Sequence, residues 1–367
     1  MTASSRSEPG QATASVVDDG VGPLRVGIVG YGLAGRVFHG ALLAADPAWQ
    51  VDAVATRDPD RAVQVADRHP GATVVETLDD LLERGVDLVV VATPNGTHVD
   101  TATRALQAGA AVVVDKPLAT SSADARGLVD LAESLGRPLT VYQNRRWDGD
   151  FLTVSRLVRS GVLGEVHTVE SRFEPWKLEN RAGWKRRATV AEGGGILFDL
   201  GPHLVDQAVK LSGRVLTVHA EIATRRPSAT ADDDVVLSLE HENGVRSRLV
   251  MSHVAALPGP RFRVLGSAGA YEVHGLDPQE AQLAAGLAPS DPTYGHDTMD
   301  RRGVVGTGDE RRAEPTDTGS YPAFYSRLAS ALHGRGALPV DPWDAVRALE
   351  VIEAARRSAD DGRLIHL

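Results

Sequence analysis

LRVGIVGYGLAGRVFHGALLAA, residues Leu24 to Ala45, joins a short apolar run to a glycine-spaced turn and then to a segment with helical spacing. Gly30, Gly32 and Gly35 spell G-x-G-x-x-G. With 37 glycines in 367 residues such a string arises by chance roughly 0.4 times, so the letters alone decide little. Their setting decides more: they close a strand-like run and open a helical one. There glycines permit a tight turn and let a pyrophosphate approach a helix N-terminus. The stretch predicts the first strand, turn and helix of a parallel α/β unit, with Gly30, Tyr31, Gly32, Leu33, Ala34 and Gly35 as its dinucleotide turn. A glycine-rich turn that binds nothing is the alternative, and the strand-to-helix setting argues against it.

Outward from this turn, apolar runs alternate with helix-period segments. Val51 to Thr56, Val86 to Thr93 and Ala110 to Pro117 read as strands; Pro59 to Arg68 and Thr97 to Ala108 read as helices. Strands this uniformly apolar are buried on both faces, as in a parallel sheet covered by helices. Residues 23–143 therefore read as a Rossmann-type doubly wound α/β domain. Beyond it the pattern changes to alternation, in 166–173, 215–224, 234–241, 245–254 and 262–275, with Asn243-Gly244 as a hairpin signal. Consecutive strands without intervening helices predict an antiparallel sheet, so residues 144–367 read as a second, α+β domain built on an open, mostly antiparallel sheet. Residues 278–320 read as a long irregular excursion. Asp341 to Gly362 reads as an amphipathic helix with Asp341 as N-cap and Gly362 near its stop. Residues 1–22 are small, polar and aperiodic, and read as a disordered lead-in without the apolar core of a secretory signal.

Composition agrees with two globular domains. A chain of 367 residues exceeds what one core normally supports, and 42% hydrophobic with 24% charged residues excludes a mostly disordered chain. No run reaches the ~18 uninterrupted apolar residues of a spanning helix. The net charge of −10 gives no general electrostatic case for nucleic acid or an anionic membrane surface. Zero cysteines remove disulfides, thiolate metal sites and thiol catalysis, and fit a reducing cytoplasm. Only four of the 39 basic residues are lysines (Lys116, Lys177, Lys185 and Lys210), so a proton-transferring lysine comes from a short field.

Three further segments carry chemistry. Thr56-Arg57 ends the second strand, and a hydroxyl followed by a guanidinium suits a ribose 2′-phosphate, which favours NADP; if Arg57 is only a solvated charge, Asp58 supplies an acid for NAD. Ala92-Thr-Pro-Asn-Gly-Thr-His98 and Asp115-Lys116-Pro117 follow parallel strands, whose carboxyl ends bind ligands in open α/β sheets. Ala92, Thr93, Pro94, Asn95, His98, Asp115 and Lys116 are therefore expected at the dinucleotide. A lysine desolvated beside an oxidised nicotinamide loses its proton more easily and suits proton relay; a turn ion pair is the alternative. Asp199 and His203 stand at i and i+4 in ILFDLGPHLVD, sharing a face if the segment is helical, with Pro202 predicting a kink or a first turn near residue 201. An imidazole near a secondary alcohol suits a general base, while a satisfied core histidine with Asp199 as a cap is the bland reading. A metal site is disfavoured because no third and fourth ligand is evident.

The glycine turn, ATPNGTH, DKP and GGGILFDLGPHLVD occur in one order, and this order resembles the glucose-fructose oxidoreductase/inositol dehydrogenase (Gfo/Idh/MocA) family over nearly everything after residue 22. Asp115 departs from the family's usual Glu-Lys-Pro but keeps a carboxylate. The resemblance implies an oxidoreductase whose Lys116, Asp199 and His203 match the family's catalytic trio, with His203 as general base and Lys116 assisting proton transfer. It also implies a second domain that carries the substrate and builds a homodimer or homotetramer. YQNRRWDGDFLTV (Tyr142 to Val154) together with DLGPHLVDQA (Asp199 to Ala208) is similar to the branch containing NADP-dependent scyllo-inositol dehydrogenases. On that likeness Asn144, Arg145, Trp147 and Asp148 face a cyclic polyol, with core packing as the alternative for Trp147, and Trp184 touches the cofactor. Two other readings stand beside it: the same machinery acting on another sugar or a dihydrodiol, and a non-catalytic dinucleotide sensor, which has no need of a titratable trio.

Overall fold

The structure, a computed structural model, describes residues 22–178, 189, 192–227, 229–297 and 302–367. The expected lead-in, apart from Gly22, and Trp184 lie outside the described residues. Six parallel strands, β1 (Leu24–Val29), β2 (Trp49–Ala55), β3 (Thr73–Val75), β4 (Leu88–Val91), β5 (Ala111–Asp115) and β6 (Leu139–Tyr142), form the first sheet in the order β3-β2-β1-β4-β5-β6. This is the doubly wound order with its reversal between β1 and β4, where such sheets open a crevice. Helices α1 (Ala41–Ala45), α2 (Pro59–Arg68), α3 (Leu78–Leu82), α4 (His98–Gln107) and α5 (Ser122–Leu135) connect the strands. Every residue of β4 is buried, as is every residue of β5 before Asp115, which explains their unbroken valine runs.

The second sheet has nine strands: β7 (Val166–Phe173), β8 (Val215–Ala223), β9 (Asp234–His241), β10 (Arg246–Ser252), β11 (Phe262–Gly266), β12 (Ala270–Val273), β13 (Arg302–Thr307), β14 (Glu310–Pro315) and β15 (Ile365–His366). Only the β7–β10 pair is parallel; the others are antiparallel, and Gly244 turns β9 into β10 at a φ of 82°. Helices α6 (Gly149–Arg159), α7 (Ile196–Ser212), α8 (Gln279–Ala284), α9 (Pro322–Leu332) and α10 (Pro342–Asp361) complete the fold. The side chain of Asp341 accepts from Trp343 N and caps α10, and Gly362 ends it in the left-handed region, as expected.

Three expectations need correction. The single strand read over 262–275 is a hairpin, because the small residues Ser267 to Gly269 turn back and Gly266 N donates to Gly269 O at 2.9 Å. The excursion over 278–320 contains α8 and the β13–β14 hairpin. Its alternation is muted because the inward position at 303 is a glycine, where a Cβ would collide with the Tyr271 ring. Helix α7 begins at Ile196, ahead of the proline, because Asp232 satisfies its first amides: its carbonyl accepts from Ile196 N and its carboxylate from Leu197 N, both at 2.8 Å. Pro202 lies inside the helix.

One apolar core runs under both sheets, and a second cluster fills the space between α6 and the outer strands. Helix α10 and the residues just ahead of it fasten the two halves: Glu353 accepts from Ser122 N and Oγ at 2.6 Å each, Arg126 pairs with Glu350, and Thr140 Oγ donates to Val340 O, two residues before the helix, at 2.7 Å. This fixes α7 opposite the carboxyl edge of the parallel sheet.

Candidate active site

The turns after β1, β4 and β5 stand side by side at that edge. Gly30 adopts a φ of 90°, which an L side chain rarely does, and a Cβ there would lie 2.6 Å from Ala92 O. At Gly35 a Cβ would collide with the carbonyl of Gly30, so this glycine brings helix and strand together. Around Gly32, by contrast, no atom of the described residues beyond its own chain neighbours lies within 4 Å of where a Cβ would be. The turn is thus tight against the sheet and open on its outer side, where it leads into a π-helical stretch, Ala34–Gly40, ahead of α1. A pyrophosphate fits that open side, against the helix amides.

At the end of β2, Thr56 Oγ accepts from Asp58 N at 3.3 Å. The Asp58 carboxylate caps α2 through Asp60 N and Arg61 N and pairs with Arg61 at 3.1 Å. It is thereby committed to the helix, whereas Arg57 is exposed with no ion pair among the described residues. Arg57 is thus the charged group left exposed at this strand end, where a guanidinium could meet a phosphate.

Two expected cofactor contacts act otherwise. The Tyr31 side chain is buried edge-on against His69 with its ring centroid 5.9 Å away, so only its backbone reaches the turn. Burial pushes its phenol up from the ordinary value. His98 is also buried. Its Nδ1 lies 2.8 Å from Pro117 O and its Nε2 2.9 Å from Thr93 O, so the ring ties the turn after β4 to the turn after β5. Asn95 Nδ2 donates to Gly193 O at 3.3 Å, which joins the first of these turns to the glycine run ahead of α7. Asp115 accepts from Lys116 N at 2.9 Å, so its carboxylate faces its own strand end.

Lys116 extends from the end of β5 to α7. Its Nζ donates to the carbonyl oxygen of Asp199 at 2.6 Å and to Asp199 Oδ1 at 3.2 Å. Both side chains remain partly open, at 15% and 33% exposed, as groups must be to meet a substrate. His203 follows one helical turn later on the same face. It is buried with Nδ1 unpartnered among the described residues, which leaves Nε2 as the nitrogen open to a ligand. Burial, then the charges of Lys116 and Arg145, hold the imidazole well below the ordinary histidine range, so it is neutral at physiological pH. The structure thus brings Lys116, Asp199 and His203 together, in front of the glycine turn's sheet edge.

The segment ahead of α6 is mostly a frame. Asn144 is buried, and Arg145 lies over the Phe173 ring at 4.6 Å and pairs with Asp148 at 3.3 Å and Glu280 at 2.6 Å. Arg145 also acts electrostatically on His203. Asp148 has no exposure and accepts from Tyr321 Oη at 2.8 Å; burial raises its carboxyl well above the usual range. Trp147 packs edge-on against Phe324 with centroids 5.7 Å apart. Trp147 and Asp148 are therefore interior supports of the site, a correction to the expectation that they face a substrate. Arg146 pairs with Asp206 and Asp344, at 2.5 and 2.8 Å, and locks this segment to α7 and α10. Sequence reasoning missed Phe173, Arg261, Glu280 and His253. His253, just past β10, has an unpartnered buried Nδ1 and, through burial and then Arg226 and Lys177, titrates at about 4. Among the described residues no group of three or more His, Cys, Asp or Glu can hold a metal ion.

The profile of the oxidoreductase family with an NAD-binding Rossmann fold matches residues 24–143, and that of the GFO/IDH/MocA C-terminal domain matches residues 151–272. The chain is 39% identical to the uncharacterized oxidoreductase YdgJ of Escherichia coli, over 92% of this chain and 96% of that protein. It is 33% identical to scyllo-inositol 2-dehydrogenase (NADP(+)) IolW of Bacillus subtilis, over 95% of this chain and 97% of the relative. The solved structure of yvaA from Bacillus subtilis superimposes with a TM-score of 0.88 at 32% identity, covering 95% of this chain and 99% of the other.

Proposed function

The chain belongs to the Gfo/Idh/MocA oxidoreductase family, and from that premise we propose that it is an NADP-dependent dehydrogenase interconverting a secondary alcohol and a ketone on a cyclic polyol of the scyllo-inositol kind. The observation that carries this reading is the contact of Lys116 Nζ with Asp199, one turn ahead of a neutral His203. The likeness to IolW supports the polyol and the cofactor together. The exposed Arg57 beside a committed Asp58 supports NADP independently. Residues 23–143 then serve the dinucleotide and residues 144–367 the substrate.

A bound nicotinamide supplies the hydride acceptor or donor. The residues of the chain handle position and proton. Asp199 holds Lys116 so that its ammonium meets the substrate oxygen, and Lys116 opposes the charge that gathers there as the carbonyl forms or is reduced. His203 Nε2, kept neutral, takes the hydroxyl proton in oxidation and returns it in reduction. Gly32 leaves room for the pyrophosphate, and Arg57 pairs with the 2′-phosphate. The family likeness of the second domain supports a homodimer or homotetramer. The lack of cysteine supports a cytoplasmic setting.

The test follows reduced-nicotinamide absorbance with scyllo-inositol, myo-inositol, aldoses and a dihydrodiol, with NADP and NAD in parallel. Turnover of scyllo-inositol with NADP preferred is expected. Turnover confined to a noncyclic or aromatic substrate overturns the polyol assignment. Dinucleotide binding without turnover of any of them points to a sensor.

A further inference from the structure

Against α7, at Gln207, lies a buried cation that this chemistry leaves unused. Arg261, just ahead of β11, is 2% exposed. Its guanidinium lies over the rings of Phe173 and Phe262, at 4.3 and 4.1 Å. It donates to Ser171 Oγ at 2.5 Å and to Gln207 Oε1 at 2.7 Å, and faces Asp150 at 3.4 Å. Phe173 also carries Arg145, so one ring touches two guanidiniums. Gln207 stands on α7 one turn beyond His203 and donates its Nε2 to Arg145 O at 2.8 Å. The side chain of Gln207 is therefore gripped at both ends, by Arg261 and by the Arg145 backbone.

As a stabilising device the arrangement is poor. Neither Arg261 Nε nor either Asp150 oxygen makes a hydrogen bond among the described residues. A buried ion pair bonded this incompletely does not recover the desolvation of its charges, and a neutral pair of like volume would pack as well. Its position under the helix of the proton acceptor supplies the missing reason.

We propose that Arg261 is a positioning residue for His203: through Gln207, one turn along α7, it fixes the inner face of the helix that presents the imidazole, and it lays a buried positive charge against that helix. This rests on the reading of His203 as proton acceptor. Charged groups reach the ring from four sides: Lys116 after β5, Arg145 ahead of α6, Arg261 ahead of β11 and, with the opposite sign, Asp199 on α7. Cations outnumber the carboxylate, in line with the depressed proton affinity of the ring. A base so held keeps its acceptor lone pair as the medium becomes acidic.

The experiment uses the full chain. Histidine-labelled protein is titrated by NMR, with the His203 signal assigned by its loss in His203→Gln, and the pH profile of kcat/KM is recorded for scyllo-inositol with NADP. The variants are the neutral pair Arg261→Met with Asp150→Asn, and Arg261→Lys, which keeps the charge and loses the forked contacts. In the neutral pair the imidazole is expected to titrate at higher pH than in the wild type, with the acid limb of kcat/KM following. Arg261→Lys is expected to keep the titration and lower kcat several-fold at constant KM. An unmoved His203 titration in a folded neutral pair overturns the proposal. A moved titration with an unmoved acid limb leaves the Arg261 coupling standing and removes His203 as the proton acceptor. If the neutral pair does not fold, Arg261→Lys decides, and wild-type kcat in that variant overturns the proposal.

Discussion

Two glycines of one turn should respond oppositely to the same added methyl group. In Gly30→Ala the new Cβ would stand 2.6 Å from Ala92 O on a backbone at φ 90°. Forcing an L residue into the left-handed region costs about 1–2 kcal/mol, and overpacking against an immovable carbonyl costs about 1–3 kcal/mol more. A loss of roughly 2–5 kcal/mol in folding stability follows from that sum. In Gly32→Ala the Cβ meets nothing within 4 Å and the backbone is unstrained, so stability should stay within about 0.5 kcal/mol. The empty volume there is the space assigned to the pyrophosphate. Its partial filling should raise the NADP dissociation constant about tenfold or more, some 1.4 kcal/mol. Thermal unfolding without dinucleotide, beside a fluorescence or calorimetric titration with NADPH, separates the two effects. Wild-type NADPH affinity in Gly32→Ala would show that the phosphates lie elsewhere, and a stable Gly30→Ala would show that the turn can relax away from β4.

Arg57→Asp should reverse or abolish the preference for NADP, lowering the ratio of kcat/KM with NADP to that with NAD about tenfold or more, because the guanidinium is the charge free to meet a 2′-phosphate; an unchanged ratio refutes that role. Lys116→Met should lower kcat by about 10²–10⁴ while changing the unfolding temperature little, since the lysine and its Asp199 partner are both partly open; wild-type turnover removes it from the chemistry. His39, fully buried with Nδ1 2.6 Å from Tyr325 Oη, titrates at about 4 because burial disfavours its charged form. Its unfolded form titrates near 6.5, so below that pH the unfolded chain takes up a proton that the folded chain refuses. The stability held above about pH 6.5 is therefore lost progressively toward pH 4, on the order of 3 kcal/mol from this residue. Denaturant unfolding at pH 7.5 and pH 5 should show a smaller difference in His39→Gln than in the wild type; equal differences would trace the acid sensitivity to other groups.

How far the site could be read from the chain depended on whether each residue carried a local signature. The parallel strands did, because burial on both faces leaves runs such as Leu88 to Val91 with no polar interruption. The pairing of Asp199 with His203 did too, because helical spacing alone puts them on one face. The contact of Lys116 with Asp199 was expected only through family resemblance, since nothing local links positions 83 residues apart. The frame residues left no trace. Trp147 and Asp148 look like ligand contacts in a string of polar and aromatic letters, and only their partners Phe324 and Tyr321 turn them inward. The β13–β14 hairpin escaped notice for the same reason, because the inward residue beneath Tyr271 is Gly303 and its apolar period is missing.

The least legible feature is the electrostatic setting of the His203 ring. A histidine at i+4 from an aspartate would, with only that neighbour, gain proton affinity, since an opposite charge favours the charged ring. The structure reverses the sign. Burial comes first, and cations contributed by three separate segments outweigh the single carboxylate. Two of those cations, Arg145 and Arg261, are held against the aromatic face of Phe173, which lets guanidinium groups be buried without matching carboxylates at every nitrogen. A phenylalanine at the end of β7 thus carries two of the cations that act on an imidazole on α7. Phe173→Leu, which keeps the bulk and removes the ring face, should loosen both arginines and let the imidazole recover proton affinity. If His203 titrates in that variant as in the wild type, the arginines are held by their carboxylate and amide partners alone, and the aromatic ring is only filling.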